Sequence, residues 1–472
     1  MKNVLIFLIG LSMSISVSCQ QPNQKIKEAD SIQQLKSQII DTTVFKTAVV
    51  INQVKCIADT NQSYVLYLPS TYNKKQLWPI IFFFDSHAEG ALPIGKYKEL
   101  AEKYGFVIAC SNNSKNGQAG DECNAIIQKF MNDVLNRFAI DNKRIYTSGF
   151  SGGARVAAIA AMTRNEIVGV IGCGAGFPNT NGNKSVETSF EFVGIVGNGD
   201  FNYTELKRLD NSLQEKNIPH QLLVFNGKHE WPAIGTMEQA FWWLECNSMR
   251  EGRRSVDQSI ITSVKQMLMT EISANEKIKN KAELYFSYLK AVNYLHELDD
   301  ISQYENKANE LKNSGQLQQM LQHMQELEKA EASLQQQYAS AFASQNWDWW
   351  NKEIDKMFQI SKNTSNAEQS VIHKRLISYL SLVAYMFSTK AIQVNQLADA
   401  DLCLRIYEKV DPENSEHAYL FAEVYMKQNN AKRAIEYLQK AVKLGFNDKD
   451  RLSKDPVFSS LNGQKEFDDL MR

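Results

Sequence analysis

The sequence predicts an α/β fold with a doubly wound, mostly parallel sheet, followed by an all-α helical region. Between residues 47 and 246, short apolar runs alternate with segments of helical periodicity, the pattern of parallel strands joined by crossover helices. From Glu251 to Leu444 strand signals are sparse, and Gln, Glu, Lys and Leu recur at helical spacing. A chain of 472 residues is also too long for one ordinary core, so we expect about two or three domains.

The first 18 residues predict a signal peptide. Lys2 precedes the apolar run VLIFLIGL, and small residues then lead to Cys19. A basic start, a short apolar core and a small-residue cleavage zone indicate a secretory signal and not a membrane span. The segment resembles a bacterial lipoprotein signal, in which the cysteine is lipidated and becomes the first mature residue. Ser16 departs from that family, which usually has a leucine-like residue there. The alternative is a plain cleaved signal with Cys19 incidental.

Residues 19–41 are rich in Gln, Lys and Ser and predict a lipid-anchored tether. We therefore expect an exported protein of the bacterial periplasm or outer membrane, attached to the membrane through Cys19. The formal net charge of -1 argues against a nucleic-acid partner and against a polybasic membrane surface.

The cysteines give a weaker signal. Of the seven in the chain, the six that follow Cys19 fit no zinc motif. Export permits disulfides, so a pair between Cys110 and Cys123 and buried free thiols both remain open.

The strands of the predicted sheet domain, residues 42–248, are indicated by apolar runs. TAVVINQVKCI and SYVLYLPS predict two initial strands, and WPIIFFFD is apolar enough for a strand buried on both faces. GKYKELAEKYG has helical period and ends in glycine, which predicts a helix. Later strands are predicted at FVIACS, RIYTSGF, EIVGVIGCGAG, FEFVGIVGNGD and PHQLLVFNGKHEWP, and later helices at residues 121–138, ARVAAIAAMTR and MEQAFWWLEC.

The string GFSGG, from Gly149 to Gly153, lies between a predicted strand and a predicted helix. A Gly-x-Ser-x-Gly string alone is a weak signal, but at such a junction it has the form of a nucleophile elbow. The turn strains the serine backbone and brings the chain close to its neighbours, which requires glycines. Ser151 is therefore the predicted nucleophile, and the amide of Gly152 at the helix start is a predicted oxyanion donor. The alternative is an ordinary glycine-rich corner.

A serine nucleophile needs a base, and the base needs an acid to orient it. Asp200 closes the strand FEFVGIVGNGD, and His229 follows the strand that contains QLLVF. Ser151, Asp200 and His229 thus end successive parallel strands, at the sheet edge where doubly wound folds bind ligands. They are the predicted catalytic residues. The alternatives are two unrelated polar loop residues, or Asp210 as a reserve acid; His220 opens a strand and is expected to be structural or exposed.

The chain order Ser, Asp, His and the motifs GFSGG, GNGD and GKHEWP resemble the α/β-hydrolase superfamily. Within it, the resemblance is to the esterase D, dienelactone-hydrolase and polyhydroxybutyrate-depolymerase or feruloyl-esterase-like group, whose histidine loop reads G-x-H-x-W-P. The resemblance covers residues 47–246, less than half of the chain. It implies hydrolysis of a carboxylic ester through an acyl-serine intermediate, without a metal or cofactor.

One departure from the group concerns the first oxyanion donor. The family usually has an H-G motif after the third strand, and here that position reads FFFDSHAEG. The resemblance carries the donor over to the backbone amide of Ser86 or of His87, and the His87 side chain either contacts substrate or holds the turn. Trp231 is a predicted substrate-binding residue that offers a stacking face to a sugar or an aromatic acyl group. Plain packing is the alternative for Trp231.

Residues 396–472 carry a second resemblance. AYLFAEVYMKQNNAKRAIEYLQKAVKLGF resembles a tetratricopeptide repeat, although Phe446 stands where the closing proline is usual. One repeat cannot bury its own face, so helices upstream of Asp401 are expected to supply the rest of the stack. Residues 249–395 are predicted to be a helical region. LSKDPVFSSLNGQKEFDDLM looks like the capping segment of such an array.

Together these features predict an exported serine esterase that acts on a small-molecule or glycan-linked ester, with a protein partner bound through its helical repeats. No long insertion separates Ser151 from His229, which argues against a large lipase-type lid. Two other functions remain open. One is an inactive hydrolase-fold scaffold that acts through its repeats. The other is a serine peptidase of the prolyl-oligopeptidase type, although that group usually carries propeller repeats, which this sequence lacks.

Overall fold

The computed structural model describes residues 44–178 and 189–471. The predicted signal peptide (1–18), the lipidation residue Cys19 and the predicted tether (19–41) therefore lie outside the described residues. In the part of the chain that is described, no helix is both long and apolar enough to cross a membrane.

A single sheet contains the strands of the N-terminal region. They are β1 (Val50–Lys55), β2 (Ser63–Tyr67), β3 (Trp78–Phe84), β4 (Val107–Ser111), β5 (Ile140–Phe150), β6 (Ile167–Cys173), β7 (Glu191–Gly197) and β8 (His220–Phe225). Their order across the sheet is β1-β2-β4-β3-β5-β6-β7-β8. β2 runs antiparallel to both of its neighbours, and the remaining adjacent strands are parallel. The carboxyl ends of β5, β7 and β8 therefore share one edge.

The central strands are buried on both faces, as the run WPIIFFFD predicts. Every residue of β3, β4 and β7 is buried. Successive side chains of a strand point to opposite faces of the sheet. Ile81 and Phe83 accordingly join one core, whereas Phe82 and Phe84 join the other.

Helices cover both faces of the sheet. They are α1 (Ala91–Tyr104), α2 (Gly120–Arg137), α3 (Gly152–Thr163), α4 (Tyr203–Glu215) and α5 (Ile234–Arg250). α1 and α5 bury side chains in the core that contains Phe83, and α2, α3 and α4 do so in the core that contains Phe82. The predicted doubly wound, mostly parallel α/β fold is confirmed.

The compact unit that contains the sheet extends past residue 248, the predicted end of the sheet domain, to Gln325. It includes α6 (Gln258–Ile278), α7 (Lys281–Leu295) and α8 (Ser302–Lys312). Ile261, Tyr294 and Ala308, one from each helix, belong to the same buried cluster as Phe83. These helices therefore add to the helical layer on that face of the sheet. An amphipathic sequence pattern predicts a helix but does not specify which surface its apolar side packs against.

A second compact unit begins at Glu326. α9 (Gly315–Ser344) crosses this boundary, and the helices that follow are α10 (Trp347–Ser361), α11 (Ala367–Gln393), α12 (Leu397–Val410), α13 (Ser415–Lys427), α14 (Ala431–Lys443), α15 (Lys449–Lys454), a 3₁₀ helix (Pro456–Leu461) and α16 (Lys465–Leu470). The described residues from 249 to 471 contain no strand, so the predicted all-α region is confirmed.

The pair α13 and α14 spans the segment that resembles a repeat. The small residues Ala422, Ala434 and Ala441 are buried, so the two helices can approach closely. Phe446, which stands where a proline is usual, stacks on Tyr419 with ring centroids 4.8 Å apart.

Candidate active site

Ser151 lies in a sharp turn between β5 and α3. Its backbone φ is 54° and its ψ is -121°, a conformation that residues with a side chain rarely adopt. The amide of Ser151 donates to the carbonyl of Cys173, the last residue of the neighbouring β6, over 2.8 Å. The turn is therefore anchored to the next strand at the carboxyl edge of the sheet.

Glycines on both sides of Ser151 permit a very close backbone approach. A Cβ atom on Gly149 would lie 2.1 Å from the carbonyl oxygen of Gly153. A Cβ atom on Gly153 would lie 2.0 Å from the carbonyl oxygen of Phe84. The first turn of α3 therefore packs directly on the backbone at the end of β3, where the oxyanion donor is predicted.

The side chains of Ser151, His229 and Asp200 form a hydrogen-bonded row. Ser151 Oγ lies 2.9 Å from His229 Nε2. His229 Nδ1 lies 2.9 Å from Oδ2 of Asp200 and 3.0 Å from Oδ1. With its proton on Nδ1, the imidazole donates to the carboxylate and leaves Nε2 to accept the hydroxyl proton of Ser151. The structure thus brings together the three residues predicted as the triad.

Asp200 is almost completely buried, with 1% of its surface exposed. Its Oδ1 also accepts the amide of Asn202 at 2.8 Å, and its own amide donates to the carbonyl of Gly197 at 3.1 Å. These bonds fix the carboxylate independently of the histidine, as an orienting acid requires.

Two phenyl rings hold the imidazole of His229. The ring centroid of Phe150 lies 4.6 Å away, and that of Phe201 lies 4.2 Å away. Both rings are tilted against the imidazole, with interplanar angles of 40° for Phe150 and 36° for Phe201. They restrict rotation of the ring away from Ser151.

The loop that carries His229 is held to α1 through the carbonyls of Trp231 and Pro232. Lys96 Nζ donates to the carbonyl of Trp231 at 2.8 Å, and the Tyr97 hydroxyl donates to that of Pro232 at 2.7 Å. The histidine therefore sits on a braced loop, although the loop has no regular secondary structure.

The structure distinguishes between the two predicted donors after β3. The amide of His87 donates to Oδ1 of Asp85 at 2.8 Å, so it is already engaged and the prediction of His87 as an oxyanion donor is corrected. The amide of Ser86 has no acceptor among the hydrogen bonds that the described residues make with one another. The amide of Gly152, the first residue of α3, has no intrahelical acceptor because of its position. Ser86 and Gly152 thus remain the backbone donors.

Trp231 is not the exposed stacking face that the substrate-binding prediction requires. Only 6% of its surface is exposed, and its indole N–H donates to Oδ2 of Asp85 at 3.0 Å. Its ring packs against Phe83 and Tyr97 in the core. The prediction is corrected to the packing alternative, because the indole is inside the molecule.

The other titratable candidates lie elsewhere. Asp210 Oδ1 lies 3.4 Å from Nε2 of His220, so the reserve acid is paired away from His229.

The six described cysteines are all buried and unpaired, which resolves the open choice at Cys110 and Cys123 in favour of free thiols. Burial raises the pKa of the Cys173 thiol well above its ordinary range. A thiol of this kind is a poor nucleophile at neutral pH.

Sequence reasoning missed three side chains at this site. Phe150 and Phe201 adjoin predicted catalytic residues in the chain, but sequence proximity does not show that their rings hold the imidazole. The third side chain is Asp85. The sequence feature that could have indicated it is a single acidic residue directly after the fully apolar run WPIIFFF.

Comparisons with known proteins give structural neighbours only. No protein-family model matches the chain, and no curated protein matches it. An S-formylglutathione hydrolase from Staphylococcus aureus is similar at 14% identity, over 43% of this chain and 99% of that chain, with a TM-score of 0.35. A feruloyl esterase module from Clostridium thermocellum is similar at 12% identity, over 41% of this chain and 84% of that chain, with a TM-score of 0.33.

A third neighbour has the same character. An S-formylglutathione hydrolase from Agrobacterium tumefaciens is similar at 13% identity, over 39% of this chain and 88% of that chain, with a TM-score of 0.33. By name, these three neighbours are two S-formylglutathione hydrolases and a feruloyl esterase module.

Proposed function

We propose that this protein hydrolyses a carboxylic ester through an acyl-serine intermediate. The observation that carries the proposal is the continuous row from Ser151 Oγ through His229 to the buried carboxylate of Asp200, with both contacts of the imidazole at 2.9 Å. A hydroxyl is a poor nucleophile unless a positioned base removes its proton, and this row supplies that base and its orienting acid.

In the first half of the reaction, Nε2 of His229 takes the proton of Ser151 while Oγ attacks the ester carbonyl carbon. Asp200 stabilises the imidazolium that forms. The carbonyl oxygen becomes an oxyanion that the amides of Gly152 and Ser86 stabilise. The imidazolium then protonates the departing alcohol, which leaves the acyl group on Ser151.

In the second half, a water molecule replaces the alcohol. His229 takes a proton from this water as it attacks the acyl carbonyl, and returns the proton to Ser151 when the carboxylic acid departs. The cycle restores the starting protonation of all three side chains and requires no other group.

The direct test is turnover of a short-chain aryl ester by purified protein and by the Ser151→Ala variant. Loss of the hydroxyl removes the nucleophile, so turnover should fall by about 10³-fold or more. Ser212→Ala, on α4, is the matched control and should retain wild-type turnover. Turnover by clean Ser151→Ala protein at the wild-type rate would remove Ser151 from the mechanism.

Two other functions are tested in the same preparation. A panel of esters and peptides distinguishes an esterase from a peptidase of the prolyl-oligopeptidase type, and the proposal predicts cleavage of the esters alone. An inactive scaffold predicts no turnover of either class, although the buried, hydrogen-bonded Asp200 argues against a degenerate site.

The cellular setting is part of the proposal and is supported by the sequence. We infer export through residues 1–18 and lipid attachment at Cys19, with the helical repeats available to a protein partner and a glycan-linked ester as one substrate class. Incorporation of labelled fatty acid tests the anchor: Cys19→Ala should abolish it, and undiminished labelling of that variant would contradict the anchor.

A further inference from the structure

Asp85 is a buried carboxylate that the proposed triad does not use. It follows directly after β3, and only 2% of its surface is exposed. Its oxygens accept three N–H groups: the amide of His87 at 2.8 Å, the amide of Glu89 at 3.3 Å and the indole of Trp231 at 3.0 Å. A carboxylate is costly to bury, and hydrogen bonds from such donors are what make its burial tolerable.

One side of this carboxylate fixes the turn that contains the Ser86 amide. Oδ1 holds the amide of His87, and the backbone carbonyl of Asp85 accepts the amide of Ala88 at 3.4 Å. The carbonyl of Ser86 accepts the amide of Asn116 at 2.9 Å. The φ of Ala88 is 62°, in a region that favours glycine, so the turn is strained and depends on these bonds. The peptide groups on both sides of Ser86 are thereby held in place.

The other side of the carboxylate reaches the histidine loop. Oδ2 accepts the indole N–H of Trp231, which lies two residues after His229 in the loop braced by α1. The Trp231 ring also lies 5.5 Å from the ring of Phe150, which in turn contacts the imidazole. One side chain thus connects the turn with the oxyanion donor to the loop with the base.

We propose that Asp85 is a positioning residue that couples the oxyanion turn to the histidine loop. This inference rests on the proposed function. Asp85 acts through the amide of Ser86 and through Trp231, and does not itself touch the reacting atoms. Because an oxyanion donor contributes mainly in the transition state, loss of this coupling lowers kcat and leaves KM nearly unchanged.

Asp85→Asn is the informative variant because it keeps the size of the side chain. One oxygen can still accept the amides of the turn, but the new NH₂ group faces the indole N–H of Trp231, and two donors cannot bond. We expect kcat for a short-chain aryl ester to fall by about 10- to 100-fold, less than the loss of a complete oxyanion donor, with KM within about twofold. An arylboronic acid, which forms a tetrahedral adduct on the serine, should lose affinity in parallel with kcat.

The double variant Asp85→Asn/Trp231→Phe tests whether kcat recovers when the indole donor that opposes the new amide is removed. Phenylalanine keeps an aromatic ring and removes the indole donor, so the conflict disappears and kcat should recover by about fivefold or more over Asp85→Asn, as coupled residues do in a double-mutant cycle. Asp210→Asn changes a carboxylate that lies away from the site and should match the wild type.

The outcomes separate this inference from the proposed function. Folded Asp85→Asn protein with the kcat of Asp210→Asn, or a loss of kcat that Trp231→Phe does not relieve, overturns the coupling while wild-type turnover keeps the esterase proposal. Absence of ester turnover in the wild type overturns both. If Asp85→Asn does not fold, the single variant Trp231→Phe tests the coupling instead. A kcat about 3- to 10-fold below that of the wild type, with KM unchanged, supports the coupling. A wild-type kcat in this variant overturns it.

Discussion

Substitution of Gly153 by alanine tests how closely the nucleophile turn must pack on the end of β3. The new Cβ would lie 2.0 Å from the carbonyl oxygen of Phe84 and 3.2 Å from the carbonyl carbon of Asp85. Ordinary van der Waals contact of a Cβ atom begins at about 3.4 Å. The first turn of α3 and the end of β3 must therefore move apart by more than about 1 Å, because the obstructing atom is backbone and cannot rotate away.

This displacement separates Ser151 from the Ser86 amide. A misplacement of about 1 Å in an active site can cost about 10²-fold in rate. We therefore expect kcat/KM of Gly153→Ala for an aryl ester to fall by about 10²-fold, and its melting temperature to fall as well, since overpacking costs about 1–3 kcal/mol. The assay is initial-rate kinetics on the short-chain ester, with a thermal melt of the same sample.

Gly95→Ala is the matched control. Gly95 lies inside α1, and a Cβ atom there would meet nothing within 4 Å. Alanine is favoured over glycine in a helix by roughly 0.5–1 kcal/mol, so this variant should keep wild-type kinetics and melt slightly higher. Wild-type kcat/KM in folded Gly153→Ala protein would refute the argument that this contact positions the nucleophile.

Two further predictions concern carboxylates. Asp200→Asn should lower kcat by about 10³- to 10⁴-fold, because the amide NH₂ opposes Nδ1–H of His229 and disfavours the required tautomer; Asp210→Asn should stay within about twofold of wild type, and equal losses would contradict the assignment. Burial raises the pKa of Glu191 from 4.5 to about 7, against the opposing effect of Arg253. Between pH 4.5 and about 7 the native state therefore binds more protons at Glu191 than the unfolded chain does. The contribution of this protonation to the free energy of unfolding is complete below pH 4.5 and is lost as the pH rises through about 7. The shift corresponds to about 3 kcal/mol. Urea unfolding of Glu191→Gln at pH 5 and pH 8 should show a pH dependence smaller by about that amount, and an unchanged dependence would contradict the prediction.

The sequence predicts the sheet and the triad because both depend on local patterns. An unbroken apolar run such as residues 78–84 is the pattern that a strand buried on both faces requires. Ser151, Asp200 and His229 each follow a predicted strand, and parallel strands end at one edge, so their convergence follows from topology. In the structure the two contacts of the imidazole confirm that these side chains meet.

The remaining features depend on tertiary contacts that no local pattern encodes. Trp231 in a polar loop is compatible with an exposed or a buried indole, and the acceptor that buries it, Asp85, is 146 residues away in the chain. The amide of His87 is unavailable for the same reason, since the Asp85 side chain folds back onto it. Helices α6 to α8 have amphipathic sequences, but only the folded chain shows that their apolar faces join the core of the sheet.

The activation of Ser151 by His229 is tested most directly by treating the protein with a fluorophosphonate, which reacts with serines activated by a neighbouring base. Intact-mass and peptide analysis then locates the adduct. The proposed triad predicts one adduct, located on Ser151, in wild-type protein, and no adduct on that residue in folded His229→Ala protein. No adduct on folded wild-type protein, or the same rate of labelling at Ser151 without the imidazole, would contradict it.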